Sequence, residues 1–212
     1  IIVLSAKDGI NVGTEKAVKL CAKYNVPAMF YISKMDEDNS NFHKVYTDLK
    51  TTFGAKVCAI NAPIYDDNGK NIGYVDLNDM TGKRFEKGKR IEIPIPASMN
   101  DLLENFKEGY REALAETSDE MMEKFFAGEE FSDDELIAGI RQGVREMSIA
   151  PVFCGTAATG VGSYALLKGI CDYMPSPDEA PIAMAVNGPK VNATDDYCVV
   201  PTIPAGTAVI LL

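Results

Sequence analysis

The chain opens on an unbroken apolar run, Ile1 to Leu4, followed by a turn-rich loop, Ser5 to Gly13, that contains Asp8-Gly9. Such a run predicts a strand. Ala17, Val18, Leu20 and Cys21 then recur at helical spacing, with Lys16, Lys19 and Lys23 on the other side. This predicts an amphipathic helix from an N-cap at Thr14 to Tyr24, stopped by Asn25-Val26-Pro27. Ala28 to Ile32 is a second short apolar run. Strand, crossover helix and strand imply a parallel pair whose functional loops lie at the carboxyl ends, and Ser33 to Asp36 is such a loop.

From about Val57 the pattern changes. Val57 to Pro63, Gly73 to Leu77 and Arg90 to Ile95 are short apolar or alternating segments, separated by Asp66-Asp67-Asn68-Gly69 and Thr81-Gly82. Turn residues between such segments predict a small antiparallel sheet of hairpins. Three helices are expected next. Met99, Leu102, Leu103, Phe106, Tyr110 and Leu114 form one helical face, and Glu104, Glu108, Glu112 and Glu116 line another. Thr117-x-x-Glu120 and Ser132-x-x-Glu135 have capping-box form and start helices near Ser118 to Ala127 and Asp133 to Met147. Met121, Met122 and Met147 are read as core filler.

Pro151 to Cys154 returns to a buried strand, and Gly160-Val161-Gly162 leads into a helix over Ser163 to Tyr173. Pro175-Ser176-Pro177 marks an exit from the domain, because proline cannot continue helix or sheet. The expected organisation is residues 1–56 and 148–175 in one α/β unit, 57–147 inserted into it, and 176–212 as a linker with partial strands.

Composition narrows the class. With 46% hydrophobic and 25% charged residues among 212, the chain can bury a core. It contains neither an apolar run long enough to span a membrane nor a signal-peptide pattern. Because Ile1 already lies in a strand-like run, the native start is expected to lie upstream. Five widely spaced cysteines without a C-x-x-C pair favour reduced, buried thiols and a cytoplasmic location. The net charge of −10 is concentrated: Asp101 to Glu135 holds 13 acidic and 3 basic residues. The blander reading of that segment is a solvated helical face; the sharper one is a docking surface for a basic partner. Like charges argue against nucleic-acid binding there.

The candidate chemistry lies in two loops, Ser33-Lys34-Met35-Asp36 and Cys154-Gly155-Thr156-Ala157. A carboxylate at the mouth of a strand can accept parallel hydrogen bonds from N1–H and the exocyclic amine of guanine, a pair adenine cannot present. Asp36 fits that role, with charge-assisted bonds of about 1.5–3 kcal/mol each before desolvation. Lys34 would lay its stem along base or ribose, and the Ala157 amide would donate to the guanine carbonyl. Alone, the tetrapeptide describes any solvated loop. Its context is more specific: Leu4 to Glu15, Tyr24-Asn25-Val26-Pro27, Asn39 to Phe42, Phe153 to Ala157, and Leu166-Leu167 with Tyr173-Met174-Pro175-Ser176-Pro177 closely resemble the G domain of translation elongation factor G.

The resemblance covers about residues 1–180 and implies an α/β fold: a partial P-loop-GTPase parallel sheet with helices, carrying an inserted α+β subdomain between the two guanine motifs. It implies GTP and GDP as ligands of a parent protein, read here by Ser33, Lys34, Asp36, Gly155, Thr156 and Ala157, with Mg²⁺ held elsewhere in the parent and no metal ligand in this chain. It implies the ribosome as partner, with the acidic helices, through Glu104, Glu108 and Glu112, facing the ribosomal stalk protein, and no membrane. Two residues depart from the family pattern. Ser33 stands where the family has Asn, and Thr156 replaces Ser. No G-x-x-x-x-G-K-[ST] run occurs, and His43, the one histidine, does not match the family's water-positioning histidine. No catalytic residue is therefore assigned, and the chain alone is expected not to hydrolyse GTP, since phosphoryl transfer is positioning and charge stabilisation by those missing parts. Within the class, a ribosomal protection protein of the tetracycline-resistance type or a release-factor GTPase would share this core. From another class, a non-enzymatic acidic interaction module would bind its partner without nucleotide.

Overall fold

The structure, a computed structural model, describes residues 1–66, 69–86, 89–176, 183–184 and 208–209. The chain forms two units, Ile1–Met174 and Pro175–Leu212. In the second, Ala183–Met184 pairs antiparallel with Ala208–Val209. The other partial strands expected there, Ile203 to Gly206 among them, lie outside the described residues.

The first unit is α/β. Strands β1 (Ile2–Ser5), β2 (Phe30–Ser33), β3 (Val57–Ala59) and β8 (Ala150–Cys154) form a parallel sheet in the order β1-β2-β8-β3. Helix α1 (Val12–Tyr24) is the crossover between β1 and β2. Asn25 ends it in the left-handed conformation, at φ 52°. The cap at its start is Asn11, whose side chain accepts from the Thr14 amide; Thr14 is buried as the third helical residue and returns the bond to complete a capping box. The expected cap thus lies three residues upstream of Thr14. Leu20, assigned to the apolar stripe, is 53% exposed, while Ala17, Val18 and Cys21 are half-buried.

Alternation along the strands divides the core between two faces. On one face Leu4, Phe30, Ile32, Val57 and Val152 meet α2 (Phe42–Phe53) through Phe42, Val45 and Leu49. On the other, Tyr31, Cys58 and Phe153 meet α5 (Asp133–Arg145) and α6 (Ser163–Tyr173) through Ile140, Val144, Ala165 and Tyr173. Phe153 lies so close to α6 that a Cβ on Gly169 would fall 2.2 Å from its ring.

Between β3 and β8 the chain builds a second sheet, β4 (Asn61–Tyr65), β5 (Asn71–Asp76), β6 (Thr81–Glu86) and β7 (Lys89–Ile93), antiparallel throughout. The run Val57 to Pro63, read as one antiparallel segment, is two strands. Val57–Ala59 stays in the parallel sheet, and the chain turns into the hairpin sheet at Ile60, whose amide still donates to the Val152 carbonyl. Thr81-Gly82, read as a turn, opens β6 instead. The turn is formed by residues 77–80, with Met80 at φ 51° and Asp79 accepting from the Thr81 amide. Gly82 serves close strand approach, since a Cβ there would meet the Ile93 carbonyl oxygen at 2.4 Å.

Helix α3 (Asn100–Ala115) buries Leu103, Phe106, Tyr110 and Leu114, and Phe106 meets Phe42 and Tyr46 edge-on at 5.9 and 5.1 Å. Helix α4 (Asp119–Ala127) is capped by Ser118, not Thr117, whose hydroxyl instead donates to the Leu114 carbonyl. It buries no residue; Met122 is 40% and Phe126 79% exposed, so Met122 is not core, and Met121 and Met147 are half-buried. The Ser132–Glu135 capping box of α5 is present.

Replacing Gly169 with Ala forces Phe153 from its seat, so Gly169→Ala should lower stability by about 1–3 kcal/mol in urea denaturation. Phe153→Leu in the same chain should restore part of it. Glu135 is held down to about 2, first by its hydrogen bond from Lys124 and then by the Ser132 amide and hydroxyl. A carboxylate depressed in the folded state contributes stability that is complete above its ordinary value of 4.5 and is lost as pH falls toward 2. The urea midpoint should therefore fall less steeply across that window in Glu135→Gln than in the wild type.

Candidate functional site

The two candidate loops are neighbours because their strands are. Ile32 of β2 lies in register with Cys154 of β8, and the Gly155 amide donates to the Ile32 carbonyl at 3.0 Å. Ser33-Lys34-Met35-Asp36 and Gly155-Thr156-Ala157 thus leave the same end of the sheet side by side, which is where an open parallel sheet binds ligands.

The first loop is anchored and capped locally. Ser33 is half-buried, and its carbonyl accepts from the Ala6 amide at 2.8 Å, which ties in the loop after β1. Lys34 is left-handed at φ 62°, and the Glu37 amide closes a turn onto its carbonyl at 3.2 Å. Met35 is buried, and its carbonyl accepts from the Ser40 hydroxyl. With Met35 as anchor, Asp36 stands exposed and makes no hydrogen bond among the described residues. The Lys34 ammonium pairs with Glu37 at 3.1 Å, which raises its pKa, and its stem lies on the exposed side of the turn.

The second loop is narrow. The Thr156 amide donates to the Val161 carbonyl at 2.7 Å and the Gly160 amide to the Thr156 carbonyl at 2.9 Å, leaving Ala157, Ala158 and Thr159 as an exposed tip. A Cβ on Gly155 would stand 2.3 Å from the Val161 oxygen, and Gly162, at φ 78°, has the Cys154 oxygen 2.2 Å from where its Cβ would be. The Ala157 amide makes no hydrogen bond among the described residues. Thr156 is 1% exposed, yet its hydroxyl finds no partner among the described residues. An orphaned buried hydroxyl is costly unless a bound group or a rearranged side chain satisfies it. An exposed carboxylate, an amide without a bond among the described residues and this hydroxyl thus stand on adjacent loops at the carboxyl end of the sheet.

Burial raises the Cys154 thiol far above its ordinary range, and on β3 it pushes Cys58 up to about 12. Cys21 is half-buried and Cys171 exposed, so the thiols are not uniformly buried. His43 is exposed on α2. Among the described residues no three His, Cys, Asp or Glu side chains gather as a metal-binding group, and no helix is long and apolar enough to cross a membrane.

Glu104, Glu108 and Glu112 are exposed along α3. Glu104 and Glu108 line a groove of about 380 Å³ beside Phe125, and Glu112 follows one turn further on. One residue that acts on the second loop escaped the sequence reading. Asn61 is buried and bonds both backbone groups of Cys154, its Oδ1 accepting from the amide at 2.7 Å and its Nδ2 donating to the carbonyl at 3.2 Å. Its one signal in the sequence is an amide inside the apolar run Val57 to Ile64.

Fold and loops together define an α/β domain of the nucleotide-binding class, with its candidate site at the sheet's carboxyl edge. The chain matches the elongation factor Tu GTP binding domain over residues 1–176 and belongs to that family, the GTP-binding domains of translational GTPases. It is also similar to the crystal structure of ttk003000868 from Thermus thermophilus, at 29% identity and a TM-score of 0.75. That match covers 83% of this chain and 26% of the other, so this chain spans about a quarter of the length of that protein.

Proposed function

We propose that this chain is the base-reading part of an elongation factor G-type GTPase that promotes ribosomal translocation in the cytoplasm. Asp36 accepts from the guanine N1–H and amine. Lys34 flanks base or ribose, and the Ala157 amide donates to the guanine carbonyl. Ser33, Gly155 and Thr156 hold the two loops in place. GTP or GDP is the ligand; its phosphates and Mg²⁺ are assigned to residues of the parent outside this chain, as is hydrolysis. The observation that carries the reading is an exposed, unbonded Asp36 beside a loop fastened to its own strand by the Gly155 to Ile32 hydrogen bond.

The acidic helices supply a second, separable part of the proposal. Glu104, Glu108 and Glu112 stand exposed on a segment that carries the chain's whole charge excess, and they present a field suited to a basic face of the ribosomal stalk protein. A ribosomal protection protein or a release-factor GTPase would use the same core. The exposed Met122 and Phe126 on α4 favour partner binding as a function in its own right, and an interaction module would bind that partner with or without nucleotide.

Calorimetric titration of GDP and GTP into the full-length protein tests the base reader. Asp36→Asn should weaken GDP at least about tenfold, the loss of one charge-assisted bond, and should gain affinity for xanthosine diphosphate. No nucleotide binding by the wild type would reject the GTPase reading. For docking, reversing Glu104, Glu108 and Glu112 to Lys should slow association with the stalk protein and flatten its salt dependence, with the larger effect on the association rate. Unchanged kinetics after reversal would reject the stalk surface and leave the base reader untouched.

A further inference from the structure

The parallel ladder between β3 and β8 ends before β8 does. The Ile60 amide makes the last main-chain bond, to the Val152 carbonyl at 2.9 Å, and the chain then turns away into the hairpin sheet. Along a strand, alternate residues turn their amide and carbonyl to the same side, so Cys154 faces the departing chain just as Val152 does. Without a neighbour both its groups would be buried and unpaired. The Asn61 carboxamide, which carries a peptide's paired donor and acceptor, takes that place at 2.7 and 3.2 Å. It acts as one more rung of the ladder.

That rung lies next to the base-reading loop. Cys154 is bonded to Asn61 on one side, and the following residue, Gly155, is bonded to Ile32 on the other. Thr156 and Ala157 come next. The far end of the same loop feeds α6, whose last residue, Tyr173, is also held by the hairpin sheet. Asn78 Nδ2 donates to the Tyr173 hydroxyl at 3.0 Å, while Asn78 Oδ1 accepts from the Tyr110 hydroxyl of α3 at 2.6 Å. The inserted elements therefore grip the loop before it starts and the helix that follows it.

We infer that Asn61 is a positioning residue of the guanine site: through the Cys154 backbone it fixes the height of the Gly155-Thr156-Ala157 loop, and so the reach of the Ala157 amide to the guanine carbonyl. The inference rests on the base-reading proposal above and makes the insertion a determinant of nucleotide selectivity. It concerns one edge of the base only. Asp36 reads the amine side from a different loop, held by Met35 and Ser40.

The test uses the full-length protein and three diphosphates: GDP, the 2-aminopurine ribonucleotide, which lacks the carbonyl and with it the N1–H, and IDP, which lacks the amine. Asn61→Ala should reduce the preference for GDP over the 2-aminopurine analogue at least about threefold and leave the preference for GDP over IDP unchanged. Hydrogen exchange of the Gly155 and Thr156 amides, which Asn61 does not touch, should accelerate about tenfold. Asn61→Gln, which keeps the carboxamide, should lie closer to the wild type in both readouts; it also serves if the Ala variant does not fold. A lower melting temperature with the carbonyl preference intact would overturn the inference, reducing Asn61 to a structural residue. Failure of the wild type to bind GDP would reject the base-reading proposal itself, and this one with it. Asp36→Asn, which should alter both comparisons where Asn61→Ala alters only the 2-aminopurine one, separates the two failures.

Discussion

The parallel pairing of β2 with β8 is the constraint on which the rest of this domain depends. Phe30, Tyr31 and Ile32 lie against Val152, Phe153 and Cys154, although more than a hundred residues separate the strands. A one-residue slip would turn Ile32 and Cys154 out of one core and Tyr31 and Phe153 out of the other, because side chains alternate between faces. Both faces are buried, so the register is strongly specified. The proposed base recognition depends on that register: two loops that share no sequence neighbourhood need only leave matched strand ends to meet.

An insertion of this size between paired strands threatens the pairing, since closing a longer loop costs entropy, although slowly with length. Here the inserted elements do not hang free. Phe106 of α3 packs edge-on against Phe42 and Tyr46 of α2, Asn78 links Tyr110 to Tyr173, and Arg90 of β7 lies over the Tyr164 ring of α6 at 5.5 Å. Apolar and polar ties thus fix the insertion to α2 on one face and α6 on the other. The entropy of closure is spread over a folded element with its own packing.

Much of this was legible in the sequence, for identifiable reasons. α1, β2, β8 and α6 announce themselves because a buried parallel strand is an unbroken apolar run and a covering helix has a stripe, and α3 is equally clear from its 3.6-residue period; β1 is as continuous a run, but at the edge of the sheet it leaves Val3 exposed. The misreadings cluster where local pattern and tertiary role diverge. Thr14 is an excellent cap by type, but Asn11 precedes it and takes the role. Gly82 looks like a turn residue because glycine does, yet it is needed inside β6, where the neighbouring strand comes too close for a side chain. Val57 to Pro63 is one run in sequence and two strands in space, and no periodicity marks the residue at which a strand changes sheets. Of the candidate site, Asp36 and the Gly155 to Ala157 loop are marked in the sequence by the family resemblance of the segments around them, since the tetrapeptide alone describes any solvated loop. Asn61 is not so marked, because its importance lies in an unsatisfied backbone pair on β8 that exists only once the sheet has formed.

The distribution of charge follows from the same architecture. The proposed site for a nucleotide polyanion shares the chain with a segment of thirteen acidic and three basic residues, a combination that would repel the ligand if the carboxylates faced it. They do not need to. Glu104, Glu108 and Glu112 lie on the exposed side of α3, because its opposite side is taken up by Leu103, Phe106 and Tyr110 against the core. Salt shortens the range of exposed charges to about 10 Å at ordinary ionic strength. The one cation buried in the hairpin sheet, among the described residues, is balanced on the spot: Lys83 pairs with Asp76 at 2.8 Å and with Asp79. With that charge closed off, the acidic helices, thirteen acidic against three basic residues, project a net negative field outward. The same amphipathic pattern that buries α3 therefore separates a surface suited to a basic partner from a site suited to an anionic ligand.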